Sequence, residues 1–186
     1  MSLQVEEQTA DYTGMITEID YQEYIRFDGT DQDAILPMLV ESSIRQAEAY
    51  CNSTFGLKTF KALFEVDECK HTLNLPFAPI LSVESVYYVD LEGVESLLTL
   101  NTDYYIRGLG RKYLILNTAR YGGSILVNYT AGNATPANVN PQVKKGILTI
   151  LSEAFEVRGN SIIAASVSIV SQNSKVELSH FRNNVI

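Results

Sequence analysis

The chain has 186 residues and a formal net charge of -8 at pH 7, and 46% of its residues are hydrophobic. A chain of this length buries roughly 70% of its unfolded surface, so it can form a core without disulfides or metals. The acidic balance argues against broad binding of nucleic acid, which depends on Lys and Arg side chains that neutralise phosphates. No apolar run approaches the ~18 residues of a membrane span, so a membrane is not an expected partner.

The chain begins with a stretch that has no apolar periodicity. We predict a flexible arm over residues 1–13 for this reason. Thr17 can cap a short helix over about residues 18–26, which has only a small apolar face. The Asp28-Gly29 pair then predicts a turn.

A long amphipathic helix is predicted over about residues 31–52, because apolar residues recur there at helical spacing. Glu41, Arg45 and Glu48 fall on one polar stripe of this helix. Pro37 lacks a backbone donor, so the regular helix either begins at about Asp33, which we favour, or is kinked. The apolar sector is wider than a single stripe. We therefore expect it to be covered on more than one side, by its own chain or by a neighbouring copy.

From residue 58 to residue 130 the pattern changes to short β-prone runs separated by turns. These runs predict an antiparallel β insertion, with consecutive strands joined as a meander. One of the turns, Gly108-Leu109-Gly110, is followed by Arg111-Lys112 and by no helix. We interpret it as a strand-to-strand turn with a basic tip, because a phosphate-binding loop needs a helix after the glycines.

A second long helix is predicted over about residues 141–158. Asn140 is its cap, Pro141 takes the first helical position, and Gly146 allows close approach of a partner. The predicted fold class is α+β: a helical core of two long helices plus a short N-terminal helix, with the antiparallel β insertion between the long helices. These elements form one domain over residues 14–160.

The remaining residues, 161–186, form a predicted C-terminal tail. Its apolar residues are too sparse among polar neighbours to form a core of their own. We therefore expect this tail to bind a partner through Val176, Leu178, Phe181, Val185 and Ile186.

The residues that most often carry catalysis or bind metal form no recognisable site in this sequence. His71 and His180 belong to no hydrolase or metalloprotease motif. Cys51 and Cys69 are predicted to be thiols, and their spacing with His71 matches no structural zinc motif. We therefore predict no catalytic residues, no metal, no cofactor and no enzyme activity.

Five stretches, taken in order, resemble the head-tail connector (head-completion adaptor) family of long-tailed bacteriophages. They span residues 16–160 and read ITEIDYQEYIRFDGTDQDAIL, IRQAEAYCNSTFG, LNLPFAPILSVESVYYVDLEG, ILVNYTAG and NPQVKKGILTILSEAFEVRGN. The tail departs from the family pattern at SIIAASVSIVSQNS.

The resemblance implies a structural protein of the virion neck, encoded by a phage or prophage and assembled in the host cytoplasm. It implies a homo-oligomeric ring of about twelve copies beneath the portal protein, which continues the DNA channel and docks tail or stopper proteins. DNA would pass without sequence-specific binding, since an acidic wall repels the duplex weakly and uniformly. Glu41 and Glu48 are then candidates for lumen or subunit contact, the alternative being a solvated helix edge.

A second hypothesis stays open on sequence grounds. The protein could be a non-enzymatic binding module, in which the β insertion holds a protein or a ligand. An adaptor should expose apolar patches on opposing flanks, whereas a ligand module should have one closed pocket.

Overall fold

The structure, a computed structural model of the chain, describes residues 3–25, 35–65, 71–117, 122–157 and 172–182. The chain divides into two compact units. The sheet unit consists of Met1–Asp11 and Gly56–Ala134, and the helical unit consists of Tyr12–Phe55 and Thr135–Ile186.

The described part of the sheet unit contains eight strands in two antiparallel sheets. The larger sheet has the order β1-β2-β8-β4-β5, and the smaller has the order β3-β7-β6. The strands are β1 Leu3–Asp11, β2 Leu57–Glu65, β3 Thr72–Asn74, β4 Ile80–Val89, β5 Glu95–Leu97, β6 Tyr104–Arg107, β7 Tyr113–Leu116 and β8 Ser124–Gly132.

Strand β8 lies at the centre of the larger sheet, with β2 on one side and β4 on the other. Apolar residues occupy both of its faces, as is typical of a strand that is covered on both sides. Tyr129 of β8 is fully buried and stacks on Phe60 of β2 at 5.4 Å between ring centroids. Its hydroxyl donates a hydrogen bond to the carbonyl of Pro76, and burial raises the pKa of Tyr129.

The helical unit contains α1 Glu18–Ile25, α2 Leu36–Cys51, α3 Pro141–Val157 and α4 Gln172–Leu178. Two single 3-10 turns cover Pro136–Asn138 and Ser179–Phe181. Helices α2 and α3 pack around a buried apolar cluster of Met15, Ile44, Ala47, Cys51, Val143, Ile147, Ile150 and Leu178. No helix among the described residues is long and apolar enough to cross a membrane.

Helix α1 is capped by its own sequence and is tied to α3. Asp20 and Thr17 form reciprocal hydrogen bonds, with the Thr17 hydroxyl accepting from the Asp20 backbone N–H at 3.4 Å. The Asp20 carboxylate also pairs with Lys144 of α3 at 2.6 Å. Burial alone would raise the pKa of Asp20, but hydrogen bonds from Lys144 and Thr17 outweigh it and hold this pKa below its usual value of 3.8.

The predicted helical core of two long helices is wrong. The described residues form four short helices and two antiparallel sheets, with about as many residues in strands as in helices. The sheets bury an apolar core of their own, which includes Phe64, Leu73, Val86, Leu114, Ile125 and Val127. The strands therefore form a compact unit with its own hydrophobic core, rather than an insertion into a helical core.

The predicted meander is also wrong, because β8, the last of the described strands along the chain, lies between β2 and β4. Where the sequence predicts a flexible arm over residues 1–13, the structure has strand β1, which pairs with β2. An ion pair of 2.8 Å between Glu7 and Lys58 joins these two strands. Strand β1 is almost wholly exposed, so it lacks the alternation that would have predicted it.

Helix α2 begins at Leu36, which places Pro37 in its first turn, where the missing N–H costs no hydrogen bond. The start predicted near Asp33 lies outside the described residues. At its other end Asn52 adopts a left-handed conformation with φ of 49° and closes the helix.

We expect Leu178→Ala to lower the free energy of unfolding by about 2–5 kcal/mol, because this side chain is 0% exposed in the helical cluster. Val176→Ala on the same helix is the matched control, since Val176 is 70% exposed and its loss should cost within about 0.5 kcal/mol. Urea unfolding followed by circular dichroism measures both. Equal effects of the two substitutions would show that α4 is not packed as described.

Asp20→Asn should destabilise the protein by about 1 kcal/mol near neutral pH, through loss of the partly exposed pair with Lys144. Because the folded-state pKa of Asp20 is lowered, its stabilisation is present above the unfolded-state pKa. This stabilisation is lost as the pH falls through the lower folded-state pKa. The difference in the free energy of unfolding between wild type and variant should therefore disappear at acidic pH, as measured by urea unfolding at a series of pH values. A gap that is independent of pH would contradict this role, and Glu23→Gln is the control for charge on α1.

Candidate functional site

The outward face of α2 carries a shallow groove of about 500 Å³. Its lining residues share one helical face and are Met38, Glu41, Ser42, Arg45, Gln46 and Ala49. Met38 is 64% exposed, and Ile35 beside the start of the helix is also exposed. Methionine and arginine are both enriched at protein interfaces, so this face of α2 is a candidate for contact with another protein.

Charged side chains form one wall of this groove. Glu41 accepts a hydrogen bond from Arg45 at 2.9 Å, in an exposed pair with i,i+4 spacing. The Arg45 guanidinium also lies over the ring of Tyr12, 5.6 Å from its centroid. These contacts hold Arg45 at the groove edge, on the same helical face as the exposed Met38.

Glu48, which is predicted to contact the lumen or a subunit, is buried within the protomer at 7% exposure. One carboxylate oxygen accepts a hydrogen bond from the Tyr12 hydroxyl at 3.0 Å, and the other accepts from the backbone N–H of Phe55 at 2.8 Å. Tyr12 and Phe55 are boundary residues of the helical unit. Glu48 therefore fixes where the chain enters and leaves this unit. Helical spacing places it on the stripe of Glu41 but does not show that other segments cover it.

The tail residues predicted to bind a partner have different environments. Val176 is exposed and Phe181 is half-buried. Leu178 is fully buried in the helical unit, whereas Val185 and Ile186 lie outside the described residues. Within the protomer, Leu178 thus packs against its own chain.

Gly146 of α3 explains how Leu178 reaches this core. A Cβ at position 146 would lie 2.7 Å from the Leu178 side chain, so only glycine leaves the required space. Lys145 and Glu177 form an ion pair of 2.6 Å beside this contact. The sequence signal for a close approach at Gly146 was present, but the partner was not identifiable because α4 is distant in sequence.

The described residues contain no group of three or more His, Cys, Asp or Glu that could hold a metal ion. His71 and His180 are both exposed. The Cys51 thiol is buried and donates to the carbonyl of Leu178 at 3.6 Å. Burial raises the pKa of Cys51 to about 11 against the opposing charge of Arg182, so the thiol stays protonated near neutral pH and is a poor nucleophile. Cys69 lies outside the described residues.

Sequence reasoning did not single out Met38 as a functional residue. Its spacing from Glu41 and Arg45, three and seven positions, places all three on one helical face. That spacing is the available signal, but an apolar residue in an amphipathic helix is also expected on the buried face.

Comparison with known proteins identifies the family. The model of the Head completion protein family matches residues 14–145, which is most of the chain. No curated protein matches the sequence.

Solved structures share the fold along the whole chain. A chain from the neck of an empty GTA particle, computed with C6 symmetry, is 17% identical with a TM-score of 0.76, over 98% of this chain and 97% of that chain. A chain from the virion of a native gene transfer agent (GTA) particle gives the same values. A chain from the neck of a native GTA particle, computed with C12 symmetry, is 16% identical with a TM-score of 0.74 and the same coverage.

The family match covers residues 14–55 and 135–145 of the helical unit and residues 56–134 of the sheet unit, which agrees with the resemblance found in the sequence. The chain belongs to the head completion protein family, and its role is that of a head-tail adaptor.

Proposed function

We propose that the protein assembles as a ring in the neck of a phage or prophage particle, beneath the portal, and there continues the DNA channel and docks tail or stopper proteins. The observation that carries this proposal is the family match over residues 14–145. The shared fold with chains from particle necks supports it, and the neck computed with C12 symmetry supports a ring of about twelve copies.

The protein acts by binding rather than by turnover. Its one described cysteine is buried with a raised pKa, and the described residues hold no metal-binding group. These observations support a structural role, in which interfaces rather than a reactive centre perform the function.

The groove on α2 is a contact between neighbouring subunits. Its apolar centre at Met38 and its charged edge at Glu41 and Arg45 match the composition of protein interfaces, where arginine and methionine are enriched. Glu41 is thus assigned to a subunit contact rather than to the lumen. A neighbouring copy would cover Met38 and Ile35, which the isolated protomer leaves exposed.

The acidic character of the chain suits the passage of DNA. A net charge of -8 gives a surface that does not hold phosphates strongly, so the duplex slides past without sequence-specific binding. The isolated protein can be a monomer in the host cytoplasm, with the portal as the template on which the ring assembles.

The alternative of a ligand-binding β module has less support. The interior of the sheet unit is filled by large side chains, including the fully buried Tyr129, Phe64 and Leu73. A ligand module needs an enclosed cavity instead.

Met38→Glu should abolish ring formation on the portal, because it places a charge in the apolar centre of the subunit contact. The matched control is Ile19→Glu on α1, which is 65% exposed and lies outside the groove. Both substitutions are at exposed positions, so each should change the free energy of unfolding by only about 0.5 kcal/mol. Size-exclusion chromatography of each variant with purified portal, with light scattering for mass, measures assembly.

Two results would count against this assignment. Full assembly of Met38→Glu would remove the α2 groove from the subunit contact. Failure of the wild-type protein to associate with the portal at any ratio would contradict the adaptor ring itself.

A further inference from the structure

Two hairpins of the sheet unit carry opposite charges. The β6–β7 hairpin, residues 104–116, contains Arg107, Arg111 and Lys112 but no Asp or Glu. The β4–β5 hairpin, residues 80–97, contains four acidic residues and no Lys or Arg. We call the turn between β6 and β7, residues 108–112, the basic turn, and the turn between β4 and β5, residues 90–94, the acidic turn.

The basic turn presents an apolar side chain at its apex. Gly108 has φ of 97°, and a Cβ there would lie 2.0 Å from the carbonyl oxygen of Arg111, so the tight turn requires glycine. Leu109 follows and is 92% exposed. At the base of the turn the Arg107 guanidinium lies 5.9 Å from the ring centroid of Tyr105.

The acidic turn is also held in one shape and also presents a leucine. One carboxylate oxygen of Asp90 accepts hydrogen bonds from the backbone N–H groups of Glu92 at 2.9 Å and Val94 at 2.8 Å. Gly93 completes the turn with φ of 84°, a conformation that favours glycine. Leu91 is 86% exposed, and Leu97 of β5 is exposed nearby.

Strand β4 separates these two turns within one copy. The backbone N–H of Ile80, at the start of β4, donates to the carbonyl of Gly110 at 2.8 Å, and Lys112 donates to the carbonyl of Leu81 at 2.6 Å. The acidic turn follows Val89 at the other end of β4. A strand of ten residues spans about 30 Å. The two turns therefore cannot neutralise each other in the same molecule.

We propose that the basic turn of one copy docks against the acidic turn of the next copy, as a second subunit contact of the ring. In this contact Leu109 and Leu91 bury each other, and Arg107 and Arg111 face Glu92 and Glu95. The inference rests on the proposed ring. Such a contact joins different surfaces of successive copies, which is the kind of interface that closes into a ring.

Charge complementarity favours a second copy of the chain as the partner of the basic turn. DNA would attract Arg107 and Arg111, but phosphates offer no apolar surface for Leu109, the most exposed large apolar side chain among the described residues. The acidic turn supplies both a leucine and the opposite charge. Exposed leucines on two rigid turns favour association, because each can be buried without further ordering of the chain.

Charge reversal tests this contact. Variant A carries Arg107→Glu and Arg111→Glu, which gives residues 107–112 a net negative charge like that of the acidic turn. Variant B carries Glu92→Lys and Glu95→Lys, which gives residues 90–95 a net positive charge like that of the basic turn. Each variant alone should form rings on the portal with a yield roughly tenfold or more below that of the wild type. An equimolar mixture should restore assembly with alternating copies. A chain with all four substitutions should assemble by itself, since its turns are again complementary.

Wild-type assembly on the portal is measured in parallel by size-exclusion chromatography and electron microscopy. If the wild type forms rings and variants A and B form them with the same yield, this contact is overturned and the proposed function is not. Loss of assembly in A and B without restoration by mixing or by the four-substitution chain would also overturn it. A third result would show that the basic turn contacts DNA instead. In that case the wild type binds duplex DNA in a salt-sensitive way, variant A does not, and neither mixing nor the four-substitution chain restores assembly. Absence of rings from the wild type would overturn the ring and this contact together.

Discussion

The pairing of β8 with strands on both sides is the constraint on which the sheet unit depends. Its ladder with β2 runs from Leu57 opposite Gly132 to Glu65 opposite Ser124, and its ladder with β4 covers the same length. Because β8 follows the other strands of the larger sheet in sequence, this sheet is complete only when residues far apart in sequence meet. This pairing also fixes β4, and through β4 the separation of the basic and acidic turns that we assign to subunit contact.

The two faces of α2 have different roles in the helical unit. Its inward face, with Ile44, Ala47 and Cys51, packs on α3. Its outward face leaves Met38 exposed next to the Glu41–Arg45 pair. A rigid helix with one buried face can present the other at a fixed position, which limits the conformational entropy lost when a neighbour binds.

Local patterns predicted elements better than they predicted partners. Helical spacing indicated helices that include α2 and α3, and short β-prone runs indicated strands, because both signals are carried by neighbouring residues. Contacts between residues distant in sequence decide the strand order, the pairing of β1 and the burial of Leu178. The same holds for Glu48, which lies on a predicted polar stripe but is covered by Tyr12 and Phe55. The family was identifiable because its residues follow a recognisable order along most of the chain. The exposed leucines of the two turns carry no such pattern, and only the structure shows their exposure.

A reconstruction of the neck of a particle that contains this protein tests the central claim most directly. We predict a closed ring of copies between the portal and the tail, coaxial with the DNA channel, into which the folds of both units can be fitted without rearranging their cores. Particles in which the ring is absent, or in which the chain lies away from the head-tail junction, would contradict the adaptor role.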